Sequence, residues 1–208
     1  VLTPFRNGEA DILIGTQMIV KGHDFPNVTL VAALAADMSL YAGDYRSSER
    51  TFELLMQASG RAGRAEKAGE VVIQTYNPEE YSIQAVAGQD AEYFYENELA
   101  FRRLMKYPPY SQMAAILILS EEENEAKTLS EKLAENIHSV CGDAVTLIGP
   151  SKAGLSRAKD RYRYVLYVKS MDEEAMACVR EIAEEANRRV VNQKTCSVQY
   201  DRDPVNGY

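Results

Sequence analysis

Only three cysteines occur in the 208 residues, Cys141, Cys178 and Cys196, and none shares a CxxC or CxH spacing with another ligand. An odd, scattered set excludes a disulfide framework and a zinc site, and leaves reduced thiols as the expectation. The two histidines, His23 and His138, are too few for a histidine-based metal cage. No apolar run approaches the roughly 18–20 residues that cross a bilayer, and nothing at the start resembles a signal peptide, so a cytoplasmic protein without a membrane partner is expected. Also missing is any GxxxxGK[ST] loop. Without that cradle of amides and its lysine, the chain has no means of holding the β- and γ-phosphates of a nucleotide alone.

What is present is ordinary for a soluble globular protein, with 46% hydrophobic and 26% charged residues. The length suits one large domain or two small ones. A formal net charge of −8 argues against indiscriminate binding to nucleic acid. Between Ser151 and Arg163, however, Lys152, Arg157, Lys159, Arg161 and Arg163 stand against a single acid, Asp160. A basic island on an acidic protein points to a specific anionic partner.

The apolar pattern divides the chain. Residues 11–15 (DILIG) and 28–35 (VTLVAALA) read as buried parallel strands of an α/β layer. A helix from Ser47 places Phe52, Leu55, Met56 and Ser59 on one face, Gly69 turns the chain, and VVIQT (71–75) is a further strand. Residues 79–106 are expected to be helical, broken at Gly88 and stopped by Pro108-Pro109. The organisation expected is an α/β part over 1–78, a helical linker over 79–110 and a C-terminal domain over 111–208.

That last domain has an internal echo. AAILILS (114–120) leads into Ser120-Glu-Glu-Glu123 and a helix to Val140; YVLYVKS (164–170) leads into Ser170-Met-Asp-Glu173 and a helix to Arg189. Each serine–glutamate pair has capping-box spacing. Strands follow at 145–149 (VTLIG) and 197–201 (SVQYD). The order β-α-β-β-α-β is the split βαβ, ferredoxin-like arrangement of two helices on a four-stranded antiparallel sheet. The basic stretch falls in the connection between its second and third strands. Asp172-Glu173-Glu174-Ala175 imitates a magnesium-holding motif, but the capping box accounts for Glu173 and no phosphate loop precedes it.

The residues that carry chemistry lie at 57–64, QASGRAGR. Arg61 and Arg64, at i and i+3, share a face if helical and ask for an anion that their surroundings do not supply. With GTQMIVKGHDFP (15–26), this stretch resembles motifs V and VI of superfamily-two helicases. DYRSSER (44–50), KYPPY (106–110) and the terminal Asp201-Arg-Asp-Pro204 extend the resemblance over nearly the whole chain, toward the bacterial primosomal replication-restart DNA helicases.

The resemblance implies a truncated RecA-like second helicase lobe ahead of the C-terminal domain, an α/β plus α+β chain. In such helicases ATP and magnesium sit between two lobes, and the second lobe's arginines reach the γ-phosphate. Arg61 and Arg64 match those arginines and Gln57 the motif's glutamine, with Gly60 and Gly63 keeping the flanks thin. Gly22 and Asp24 would lie near the ribose, Lys21 would serve either ligand, and Gly15 and Thr16 would touch the DNA backbone; His23 reads as a loop histidine. Asp37, Asp44, Arg46 and Arg50 suit an interlobe charge network. Zinc is expected only in an upstream insertion that this chain lacks. With the phosphate loop elsewhere, the chain is expected to hold half an active site and to be inactive alone, while the resemblance implies that the intact protein is an ATP-dependent 3′→5′ helicase that restarts replication at stalled forks.

The resemblance also implies that the C-terminal domain meets forked, branched or single-stranded DNA, with Lys152, Arg157, Lys159, Arg161 and Arg163 as its contacts. Tyr162 and Tyr164 alternate with the arginines and are either stacking platforms or core residues. The arginines either contact phosphate or pair with their own acidic helices. A non-catalytic module that binds branched DNA, primosome proteins or single-stranded-DNA-binding protein is the alternative reading.

Overall fold

The computed structural model describes residues 2–16, 27–41, 43–62, 69–158, 160–190, 195–205 and 207–208. The chain is of mixed α/β type and divides into two compact units, Val1–Glu98 and Leu99–Tyr208.

In the first unit a short helix α1 (Leu2–Arg6) precedes β1 (Leu30–Ala33), which pairs in parallel with β2 (Glu70–Ile73), Leu30 opposite Glu70 and Ala33 opposite Ile73. A parallel pair needs a crossover, and α2 (Ser47–Ser59) lies in it. Phe52 and Leu55 of α2 are buried and Met56 is packed beside them, on the face that the apolar spacing marks. Their partners are Ile83, Ala85 and Val86 of α3 (Tyr81–Gly88) and Phe94 of α4 (Ala91–Met105). Glu80 opens α3 by accepting from the Ser82 and Ile83 amides at 2.8 and 3.3 Å, and the helical pattern breaks after Gly88, where Gln89 takes a left-handed conformation. The helical segment expected as a linker is therefore divided, with Phe94 in the core of the first unit and Leu99 onward in the second.

The strand expected at 11–15 does not form. Residues 12–16 are irregular, with Ile12 77% and Ile14 89% exposed. An apolar run becomes a strand only where a neighbour takes its backbone hydrogen bonds, and no described strand lies beside this one.

The second unit runs β3 (Gln112–Ser120), α5 (Glu123–Cys141), β4 (Thr146–Ala158), β5 (Arg161–Ser170), α6 (Glu173–Arg189) and β6 (Cys196–Arg202). The four strands form one antiparallel sheet in the order β4-β5-β3-β6. Ala114, Ile116 and Ile118 of β3, Leu166 and Val168 of β5 and Val198 of β6 pack under Leu133, Ile137, Val179 and Ala183 of the two helices. On the opposite face Ala115, Leu117, Ala153 and Val165 form a second cluster, with Tyr167 and Tyr208 against it. Burial on both faces is why β3 reads as an unbroken apolar run rather than an alternating one.

Two local expectations need correction. Both helices begin later than the serine boxes imply. Ser120 Oγ donates to Glu125, not Glu123, and accepts from the Glu122 amide at 3.1 Å. Asp172 caps α6, accepting from the Glu174 amide at 2.8 Å and the Ala175 amide at 3.4 Å, while Ser170 Oγ donates to the Ala144 carbonyl at 2.6 Å. Each serine ends a strand, too early to reach an amide at the third helical position. The basic stretch, in turn, is not a loop: residues 151–158 continue β4 and pair with β5, Arg157 opposite Tyr162 and Ala158 opposite Arg161. The pairing passes register shifts between Ile148 and Ser151 and between Lys152 and Arg157. At the first stands Gly149, with φ +98° and the Val165 carbonyl oxygen 3.0 Å from where a Cβ would lie, a position only glycine fills without displacing the neighbouring strand.

Candidate functional site

Of the residues expected in the first unit, Gln57, Gly60 and Arg61 lie at the C-terminal end of α2, and Asp44, Arg46 and Arg50 at its start. The helix is anchored at its start, where Ser47 Oγ donates to the Asp44 carbonyl at 2.7 Å, the Arg46 amide donates to Asp44 Oδ1 at 2.8 Å, Asp44 pairs with Arg50, and Arg46 Nε meets Glu49 at 2.8 Å. Asp44, Arg46 and Arg50 are thus tied together locally around the helix start. Asp37 is buried and accepts the Thr75 hydroxyl and the Tyr76 amide, the latter at 2.8 Å. Those bonds, Thr75 first, hold its carboxyl below the usual range and fasten the turn after β1 to the segment after β2.

At the far end of α2 Gln57 is exposed. The chain leaves the helix through tight turns, the Gly60 amide to Met56 O and the Arg61 amide to Ala58 O, both 3.0 Å. A Cβ at Gly60 would lie 3.5 Å from the Met56 oxygen, an ordinary contact, so nothing described within the unit requires glycine there. Arg61 is half-buried, and its buried Nε has no hydrogen-bond partner among the described residues. A buried guanidinium N–H without an acceptor is costly, and an incoming anion would supply one. Gly15 and Thr16 lie in exposed irregular chain. Lys21, Gly22, His23, Asp24, Gly63 and Arg64 lie outside the described residues.

In the second unit the cations sit on the β4–β5 hairpin, but on two faces. Lys152 and Arg157 stand opposite Tyr164 and Tyr162 on the helix-covered side; Arg161 and Arg163 alternate with those tyrosines and take the other side. Lys152 Nζ reaches Glu123 Oε1 at the start of α5 at 2.5 Å. Arg157 pairs with Asp160 at 3.4 Å and lies over the Tyr162 ring, 5.3 Å from its centroid. Arg163 Nη1 donates to the Leu155 carbonyl at 3.1 Å. Lys159 lies outside the described residues. Tyr164 is 7% exposed and belongs to the core under the helices, with Tyr162 packed against it, so Tyr164 is no platform for a nucleobase. Internal pairing does not remove the cations from solvent, since the side chains of Lys152 and Arg157 remain 58% and 56% exposed.

Sequence reasoning missed Lys169, whose only signal was a lysine inside the apolar run YVLYVKS. It is 8% exposed, donates to the Met105 carbonyl at 2.9 Å and stands 4.1 Å from the centroid of Tyr107. Burial, then the nearby charge of Lys106, draws its pKa below the ordinary lysine range. The KYPPY segment is thereby pinned to β5, and the last carbonyls of α4 gain a cationic cap.

Two family models match this chain: the helicase conserved C-terminal domain over residues 1–66, and the primosomal protein N C-terminal domain over residues 103–205. The chain is 46% identical over 204 residues to replication restart protein PriA of Bacillus subtilis, covering 98% of this chain and 25% of that protein. It is 42% identical over 169 residues to the PriA of Synechocystis, covering 81% and 20%, and 34% identical over 202 residues to that of Chlamydia trachomatis, covering 97% and 26%. The chain therefore spans about a quarter of the length of these relatives. Among solved structures, the designed protein Foldit4 covers 45% of this chain at a TM-score of 0.36 and 14% identity, too distant to bear on fold or function.

Proposed function

The chain belongs to the PriA family, to whose C-terminal region it is similar, and from that premise we propose that it supplies the second-lobe half of a helicase ATP site together with a DNA-contacting C-terminal module. The observation that carries the reading is Arg61: a guanidinium at the end of α2, inside the stretch matched by the helicase model, with a buried Nε lacking a partner among the described residues. Arg61, with Arg64, would reach the γ-phosphate of an ATP held by a separate phosphate-loop lobe. There the two arginines would neutralise charge spreading over the equatorial oxygens in the transition state. Gln57, exposed one turn earlier, would orient the attacking water. Magnesium would be held by the other lobe and would supply charge neutralisation there; no residue of this chain is assigned to it.

The β-α-β-β-α-β order with strands arranged β4-β5-β3-β6 supports a split βαβ, ferredoxin-like assignment for the second unit. In the intact protein, the two units would serve unwinding of forked DNA during replication restart, with primosome proteins and single-stranded-DNA-binding protein as partners. Hydrolysis of ATP by this chain, with and without single-stranded DNA, is the test. Background rates are expected alone, because the sequence contains no GxxxxGK[ST] loop. In a longer protein that includes the phosphate-loop lobe, Arg61→Ala should lower kcat by about 10³ or more with little change in KM for ATP. A DNA-stimulated rate from this chain alone, abolished by Arg61→Ala, would contradict the half-site reading.

A further inference from the structure

KYPPY (106–110) takes no part in the ATP half-site, and it closes a stretch of uncommon charge. Between Glu98 and Glu121 the chain has no acidic residue, yet Arg102, Arg103 and Lys106 fall there. The fold makes this stretch a fixed turn. The Tyr107 amide donates to the Arg102 carbonyl at 2.8 Å and the Lys106 amide to the Arg103 carbonyl at 3.3 Å, the paired bonds of a Schellman end to α4. Ser111 Oγ donates to the Lys106 carbonyl at 2.6 Å, and the Tyr110 amide to the Tyr107 carbonyl at 2.9 Å. The residue just past such a helix end takes the left-handed conformation and is most often glycine. Here it is Lys106, at φ +51°. A lysine backbone is strained in that region where glycine would not be. Its side chain gains nothing visible in return: Lys169 already serves the Met105 carbonyl at the end of α4, and Lys106 is exposed with no acidic partner among the described residues.

Arg103, three residues earlier, is exposed as well, and no described acid pairs with it. Its guanidinium lies over the Tyr110 ring, 4.8 Å from the centroid, with Nη2 3.5 Å from the hydroxyl. The ring steadies that group without neutralising it. We propose that Arg103 and Lys106 are a phosphate-binding pair for a nucleic-acid strand, a contact additional to the β4–β5 hairpin that rests on the reading of the second unit as a DNA-contacting module. A guanidinium offers phosphate a planar fork of donors and an ammonium a point charge, and the turn that carries them is already fixed before a strand arrives. Tyr110 is taken up by Arg103, so the contact is to the backbone and carries no base preference. Both residues lie within 103–205, the stretch matched by the primosomal protein N C-terminal model, and that selects a nucleic-acid phosphate over an acidic peptide.

The test is fluorescence anisotropy of the chain with a labelled oligothymidylate at two salt concentrations, beside urea unfolding followed by circular dichroism. Lys106→Gly relieves the backbone and removes the charge. Its urea midpoint should therefore hold or rise while binding weakens and the salt slope flattens by about 0.7. Arg103→Ala should flatten the slope by a similar amount, the two together by about twice that, and Lys106→Arg should keep wild-type binding. A strand of mixed sequence should lose as much affinity as oligothymidylate. Unchanged affinity and slope in Lys106→Gly and Arg103→Ala, with the wild-type chain binding, would overturn this pair and leave the hairpin standing. A wild-type chain that binds no DNA would overturn the DNA-contacting reading and the pair with it. Weaker binding by Lys106→Gly together with an earlier urea midpoint would make Lys106 a structural residue. Polyglutamate binding lost in both variants, with DNA binding untouched, would give the turn to an acidic peptide instead.

Discussion

Arg61 and Lys152 are both cations proposed to meet an anionic ligand, and their surroundings separate them. Lys152 is exposed and already paired with Glu123, so it loses little when water or phosphate competes; Arg61 holds a buried donor without an acceptor among the described residues. The glutamine–arginine spacing of QASGRAGR makes Arg61 a candidate, because motif chemistry resides in residue type and interval. Lys169 was not legible: its burial follows from β5 lying against the chain that leaves α4, a contact 64 residues away in sequence. Phe94 illustrates the same limit in the core. It is fully buried and stacked on Phe52, ring centroids 4.1 Å apart and planes 2° from parallel. Phe94→Ala should cost the first unit about 3–5 kcal/mol through lost burial and the cavity left behind, read as an earlier urea transition by circular dichroism. An unchanged midpoint would mean that this stack does not hold the unit together.

Among elements, the helices were legible and their caps were not. Apolar periodicity marks α2, α5 and α6 because a buried stripe repeats over several turns. A cap depends on where the preceding strand releases the chain, and β3 and β5 hold Ser120 and Ser170 to their last pairings. Asp172 therefore does for α6 what Ser170 had seemed placed to do. Asp172→Ala should destabilise the second unit by about 1 kcal/mol, having removed the acceptor of two amides, whereas Glu173→Ala should leave the urea midpoint nearly unchanged. Equal losses for both would restore the capping box. The hairpin was hidden for a related reason. A basic, irregularly alternating stretch looks like a connection, and only pairing with β5 across two register shifts makes it a strand.

At the scale of the whole molecule, an acidic chain gathers positive charge on one hairpin, and that contrast makes salt a discriminating probe. If Arg157, Arg161 and Arg163 meet phosphates, affinity for a labelled forked DNA must fall log-linearly with salt, by about 0.7–0.9 per phosphate neutralised. Replacing all three by alanine should weaken binding and flatten that slope by about two to three. If instead the cations serve only their own unit, the wild-type chain will not bind and the triple variant will differ only in stability. The pairs seen within the hairpin do not decide between these outcomes, because exposed ion pairs contribute little and exchange readily for phosphate contacts. What favours binding is arrangement: Arg161 and Arg163 lie on the sheet face away from the acidic helices α5 and α6. Fluorescence anisotropy at two salt concentrations reads both quantities. A slope left intact by the triple substitution would move the DNA contacts off the hairpin, to the turn after α4 or onto the first unit, where Gly15 and Thr16 become the residues to replace.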